Sequence, residues 1–236
     1  VPMRKKKVAI FAVMLCLAAG TWETLSYMND GETTVNRLEF AGENGINARL
    51  TEPSWKPQKG LLTVPGTFLP KDPQVTNTSE INIDELVALK CEFVYTDNCP
   101  DQTKAGRTLS VQDMEKVTAV YSIDYNSDSS ENADWIRFEG QTDKDPVQCF
   151  YYRKALKRNL PEAGETTVPL FTRLLVPYSV NNRQQKWIQD MGGFEIKISG
   201  QVIQQMKNEE YFGLDNGEKA YEAGVFNLNE REENEV

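Results

Sequence analysis

The residues with the clearest chemical pattern are Asp124, Asn126 and Asp128, which follow the alternating oxygen-ligand spacing that opens a calcium-binding loop. The pattern then fails, because Ser129 stands where such a loop needs glycine and Trp135 where it needs the bidentate glutamate. We therefore expect an acidic, solvated loop around these residues and keep the three of them only as calcium candidates. No metal centre and no cofactor is predicted.

Nucleophilic and metal-dependent catalysis are restricted by composition, because the 236 residues include no histidine. A Ser-His-Asp triad, a Cys-His dyad and a histidine-ligated zinc site are therefore excluded. Three of the four cysteines, Cys91, Cys99 and Cys149, follow the export signal predicted below. An odd number in an oxidising compartment leaves at least one thiol unpaired or shared between chains, and the sequence does not determine the pairing. No catalytic residue is predicted, and we expect that the chain is not an enzyme.

Three other patterns are expected to be structural. Residues 77–79 form a glycosylation sequon in form only, and residues 160–164 resemble a sortase signal but lie mid-chain, where we expect a turn. A basic patch at residues 153–158 is either a solvated strand end or a surface that meets the acidic face of another subunit.

The first 26 residues are predicted to be an export signal. A basic cluster at residues 4–7 precedes an apolar run at 8–19, which is too short for a comfortable transmembrane helix. We place cleavage between Ser26 and Tyr27, with residues 18–20 as the alternative site. A signal peptidase is therefore an expected partner during export, and membrane contact is expected only through the uncleaved signal.

The remaining chain is predicted to be one acidic domain over residues 27–226, followed by a disordered acidic tail at 227–236. Removal of residues 1–26 takes away four cations and one anion, so the net charge changes from -9 to -12. A strongly negative net charge argues against binding to nucleic acid, which requires clustered Lys and Arg.

Many short extended segments separated by turn residues predict a mainly β fold, a β-sandwich or jelly roll with one or two short helical insertions behind the signal helix. In the segment 81–95, alternation places Cys91 on an apolar face as a buried thiol. Phe194 to Met206 alternates in the same way. Ser110 is a predicted N-cap of the strongest helix, and a second short helix is predicted at 217–223.

Six segments carry motifs of one family in the same order along the chain. Residues 24–30 resemble the ending of signals handled by SipW-type signal peptidases, and the other segments are 64–66, 70–78, 150–156, 163–171 and 194–198. Together they resemble the TasA/camelysin family of exported Gram-positive surface and biofilm-matrix proteins. The departures are Met28, where an aromatic residue is usual, Glu23 inside the signal end, and longer loops around 91–107 and 124–146.

This resemblance implies an exported jelly roll at the cell surface or in the biofilm matrix of a Gram-positive bacterium. It also implies fibres in which the N-terminal segment of one subunit adds a strand to the next. Here that segment starts at Tyr27 and runs to about residue 42, and the strand-donating residues are Val35, Leu38 and Phe40. The alternative is that the same segment forms the first strand of its own sandwich. Camelysin-like proteins have been classed as metallopeptidases, but the lack of histidine opposes a zinc mechanism here.

The sequence therefore predicts an exported structural component that associates with itself as a homo-oligomer or fibre. One alternative is a monomeric surface module that binds a carbohydrate, a protein or calcium, which clustered exposed aromatics around Trp55, Trp135 and Trp187 would favour. A second alternative is a secreted enzyme of unfamiliar type, which a cleft with perturbed carboxylates would favour.

Overall fold

A computed structural model describes residues 22–24, 38–41, 46–54, 64–126, 133–206, 213–226 and 228. The predicted cleavage residues Ser26 and Tyr27, the predicted donor Val35 and the calcium candidate Asp128 lie outside these ranges. The predicted signal helix also lies largely outside them, and the part that is described, Trp22–Thr24, forms a strand.

The largest element is a five-stranded antiparallel sheet with the strand order β1-β11-β6-β9-β8. Its centre is the pair β6 and β11, which are aligned along eleven residues each, from Tyr95 opposite Phe194 to Glu85 opposite Gln204. The strands are β1 (Trp22–Thr24), β6 (Glu85–Tyr95), β8 (Trp135–Arg137), β9 (Val147–Tyr152) and β11 (Phe194–Gln204).

Two three-stranded antiparallel sheets complete the β structure, with the orders β4-β10-β7 and β2-β3-β5. The mainly β prediction is therefore confirmed. The strands are β2 (Leu38–Ala41), β3 (Asn47–Thr51), β4 (Phe68–Pro70), β5 (Gln74–Asn77), β7 (Ser122–Tyr125) and β10 (Phe171–Leu175).

Three helices lie in the described residues, one more than the upper number predicted: α1 (Val111–Val120), α2 (Asn182–Asp190) and α3 (Gly217–Glu222). Ser110 caps α1 as predicted, because its side chain accepts a hydrogen bond from the backbone N–H of Asp113. Helix α2 was not predicted, although Asn181 and Gln184 form a capping box there.

The five-stranded sheet is covered by apolar groups on both faces. On β6, the predicted face from Val87 to Tyr95 belongs to the main core, which also includes Leu50 of β3 and Phe171 of β10. Leu86 and Ala88 point to a second cluster on the other face, with Ala220 of α3. Leu228, which falls inside the predicted tail, is buried in this second cluster.

Candidate functional site

One edge of the five-stranded sheet is formed by β1, which pairs with only part of β11. Trp22 lies opposite Gly200 and Thr24 opposite Ile198, so β1 covers three of the eleven residues of β11. No other strand of the described residues pairs with β11 on that side. An incompletely covered edge offers backbone N–H and C=O groups to a further strand.

The position of β1 in the chain matters, because residues 22–24 precede the predicted cleavage site between Ser26 and Tyr27. If the chain is cleaved there, β1 leaves with the signal. The whole outer side of β11 then becomes the end of the sheet.

Two of the predicted strand-donating residues pair within their own chain. Leu38 lies opposite Leu50 and Phe40 opposite Ala48, in the β2–β3 pair. This pairing corresponds to the alternative in which the segment belongs to its own sandwich. The segment between β1 and β2, which includes Val35, lies outside the described residues.

Two of the calcium candidates, Asp124 and Asn126, lie in a strand and directly after its end rather than in a loop. Asp124 lies in β7, and its carboxylate accepts hydrogen bonds of 2.8 Å from the backbone N–H groups of Thr172 and Arg173. The Asn126 side chain donates to the carbonyl oxygen of Pro169. Both side chains therefore bind the β10 region of the chain. Within the described ranges, no group of three or more His, Cys, Asp or Glu side chains is placed to hold a metal ion.

The sequon forms part of a buried polar cluster. The Asn77 side chain is fully buried and donates hydrogen bonds of 2.8 and 3.0 Å to the carbonyl oxygens of Ile83 and Leu156. Ser79 is buried beside it and donates to Glu85. These contacts give the 77–79 motif a structural role. Glu85 had no sequence signal of its own, because its partners are brought to it by the turn after β5.

The basic patch makes contacts inside the chain. Lys154 forms an ion pair of 2.7 Å with Asp134, and the Arg158 Nε donates a hydrogen bond of 2.6 Å to the carbonyl oxygen of Ser79. Arg158 therefore binds the polar cluster around Glu85, and its positive charge lowers the pKa of that carboxyl against the larger effect of burial.

A buried ion pair joins the two small sheets. Lys71 follows β4 directly and Glu52 follows β3 directly, and the Lys71 Nζ lies 2.6 Å from the Glu52 Oε1. Only 3% and 2% of the two side chains is exposed. Burial lowers the pKa of Lys71, and the negative charge of Glu52 opposes that shift. The sequence could not indicate this pair, since the contact depends on how the two sheets pack.

The three cysteines of the described residues are buried, and the three tryptophans named above differ in position. Cys91, Cys99 and Cys149 are buried free thiols, which confirms the prediction for Cys91. Burial raises the pKa of Cys91 and of Cys149, so neither is activated as a thiolate. Trp135 is fully buried, with its indole N–H donating a 2.8 Å hydrogen bond to the carbonyl oxygen of Val168. Trp187 is half-buried, with the Arg183 guanidinium 5.9 Å from its ring centroid, and Trp55 lies outside the described residues.

None of the helices in the described residues combines the length and the apolar character needed to cross a membrane. Comparison of the chain with protein-family models, curated proteins and solved structures gave no match.

Proposed function

We propose that the chain is an exported structural component of the cell surface or biofilm matrix, built on a jelly-roll sandwich and self-associating by strand donation. The observation that carries the proposal is the partial covering of β11 by residues 22–24, which lie inside the predicted signal. Cleavage after Ser26 would leave an eleven-residue edge strand, and an extended segment of a neighbouring subunit restores the missing backbone hydrogen bonds.

The donor is the segment that begins at Tyr27. In one arrangement it donates only the residues before β2, so that Leu38 and Phe40 keep their pairs in β3. In the other, β2 itself exchanges between subunits, because the same ladder can form within or between chains. The proposal includes no enzymatic activity and no cofactor, in keeping with the lack of histidine.

The test compares the particle size of purified residues 27–236 with that of a chain that starts near residue 42, by light scattering and negative-stain microscopy. Ordered fibres from the longer chain and monomers from the shorter chain are the expected result. A third chain that starts at residue 38 keeps β2 and separates the two arrangements. Monomers of the longer chain at high concentration and low pH, where the acidic repulsion is reduced, would contradict the proposal.

The second candidate function is a monomeric surface binding module. It is favoured by a cavity between α1 and the sheets, whose walls contain polar groups that have no hydrogen-bond partner among the described residues. The buried position of Trp135 removes one of the aromatic residues that the sequence suggested for such a module.

A further inference from the structure

A cavity of about 170 Å³ lies between helix α1 and the strands beneath it. Its floor includes the fully buried residues Phe93 and Gln148, while its rim includes the exposed residues Ser122 and Asp143, so the cavity opens to solvent. The other lining residues are Met114, Val117, Thr118, Tyr121, Ile123, Tyr125 and Leu174.

Gln148 contributes an acceptor that the protein leaves unused. Its amide nitrogen donates hydrogen bonds of 3.3 and 3.0 Å to the carbonyl oxygens of Asp143 and Asp145. Those two bonds fix the orientation of the amide, because an exchange of nitrogen and oxygen would set oxygen against oxygen. The Oε1 atom is buried and makes no hydrogen bond to the described residues, although Gln148 is 0% exposed. Native proteins leave few buried polar atoms without a partner.

Tyr125 contributes a second unused group. Its ring is stacked on Phe150 at 5.1 Å and meets the edge of Phe171 at 5.5 Å, and the Arg137 guanidinium lies 5.1 Å from the ring centroid. These contacts hold the ring in place, yet its hydroxyl group is buried and has no hydrogen-bond partner in the described part of the chain. Burial raises the pKa of Tyr125, so the hydroxyl group keeps its proton and remains a donor.

The two groups complement each other, since one is an acceptor and the other a donor. They make no hydrogen bond with each other, yet both residues line the same small cavity. A single hydroxyl group of a ligand has both capacities that these two groups need, since it can donate to an amide oxygen and accept from a phenolic hydroxyl group.

The size and the walls of the cavity define the rest of the ligand. A cavity of about 150 Å³ is large enough for benzene, and this one is about 170 Å³. Phe93, Tyr121 and Tyr125 offer aromatic surface, which favours a ring over a linear chain. The carboxylate of Asp143 at the rim pairs with the Arg137 guanidinium, and a neutral ligand leaves that ion pair undisturbed.

We propose that this cavity is a binding site for a neutral single-ring compound with one hydroxyl group, of which phenol is the simplest. The Gln148 oxygen and the Tyr125 hydroxyl group bind the hydroxyl group of the ligand, and Met114, Val117 and Leu174 contact the ring. The site does not depend on self-association and goes beyond the structural role proposed above.

The test is calorimetric titration of the full chain with phenol and, separately, with benzene, which lacks the hydroxyl group. Phenol is expected to bind more tightly than benzene. The substitution Tyr125→Phe keeps the ring and is expected to weaken phenol binding by roughly threefold to tenfold, the value of one neutral hydrogen bond. Tyr178→Phe is the matched control, because Tyr178 is 87% exposed and lies outside the cavity.

A second variant, Val117→Phe, fills the cavity and is expected to abolish binding of both compounds, with circular dichroism as the check that it folds. Gln148→Leu would also remove the two hydrogen bonds to the 143–145 loop, so Tyr125→Phe is the more specific change. The proposal is overturned if phenol does not bind, if phenol and benzene bind equally and Tyr125→Phe changes nothing, or if the folded Val117→Phe variant binds as the natural chain does.

Discussion

The Ser79 hydroxyl group donates a hydrogen bond of 2.5 Å to a carboxyl oxygen of Glu85, and both side chains are fully buried. Burial raises the pKa of Glu85 to about 8, and the hydrogen bond from Ser79 and the charge of Arg158 only partly oppose it. In the unfolded chain the same carboxyl group titrates near its ordinary pKa of 4.5. The folded protein therefore holds a proton that the unfolded chain releases.

This relationship predicts that stability falls as pH rises. The contribution of Glu85 is complete below about pH 4.5, decreases between the two pKa values and is lost above about pH 8. The loss is on the order of 5 kcal/mol, since each pKa unit corresponds to about 1.4 kcal/mol and the pKa of Glu85 rises from 4.5 to about 8. Because the chain has no histidine, no imidazole group titrates in this interval. Urea unfolding at several pH values measures how steeply the free energy of unfolding falls as pH rises.

The substitution Glu85→Gln, uncharged at every pH, is expected to flatten that slope. Some slope remains, because burial also raises the pKa of Glu195. Glu139→Gln, at an exposed residue, is the control. An equal slope in the natural chain and in Glu85→Gln would show that this carboxyl group does not hold the proton.

The parts of the fold that the sequence predicted well are those in which local spacing decides the structure. The alternation around Cys91 fixed which side of β6 faces the main core, because side chains in a strand alternate with a period of two. Ser110 and Asp113 identified the start of α1 for a similar reason, since a cap depends on neighbours in sequence. Val111 shows the limit of periodicity: it has the helical spacing of Met114 and Val117, yet it is 56% exposed whereas those two residues are buried.

The parts that were missed depend on contacts between distant segments. Residues 126–132 after Asp124 are all polar or acidic and predict a loop that begins at Asp124, yet pairing with β10 holds Asp124 in a strand. Helix α2 buries only Ile188, so it has too weak an apolar stripe to be recognised by periodicity. Gln148 and Tyr125 have no local pattern at all, because their shared position in the cavity depends on how β7, β9 and α1 pack together.

The ion pair between Lys71 and Glu52 gives a second prediction. The substitution Lys71→Met is expected to lower the free energy of unfolding by about 3–5 kcal/mol, because it leaves the Glu52 carboxylate buried without its cation. The double variant with Glu52→Leu is expected to recover most of that loss, since it removes both charges. Denaturant unfolding of the two single variants and the double variant measures the coupling. A loss below about 1 kcal/mol in Lys71→Met would contradict the buried pair.

The cap of α1 gives a third prediction. Ser110→Ala removes the acceptor for the backbone N–H of Asp113 and is expected to cost about 1 kcal/mol of stability. Ser110→Gly is the comparison, because glycine at an N-cap costs only a few tenths of a kcal/mol relative to serine. Thermal and denaturant unfolding of both variants checks that the alanine variant is less stable than the glycine variant. Equal stability of the alanine variant and the natural chain would show that the cap does not stabilise the helix.

The burial of the three thiols predicts their reactivity. Cys91, Cys99 and Cys149 are buried and unpaired, and burial raises the pKa of Cys91 and Cys149. Because alkylation requires an accessible thiolate, iodoacetamide is expected to leave all three unmodified in the folded protein at about pH 8. The same reagent is expected to modify all three in urea. Peptide mass spectrometry separates them from Cys16, which lies outside the described residues. Rapid modification of Cys91 under native conditions would mean that the main core opens readily. A disulfide between any two of the three cysteines would contradict the prediction that they are unpaired.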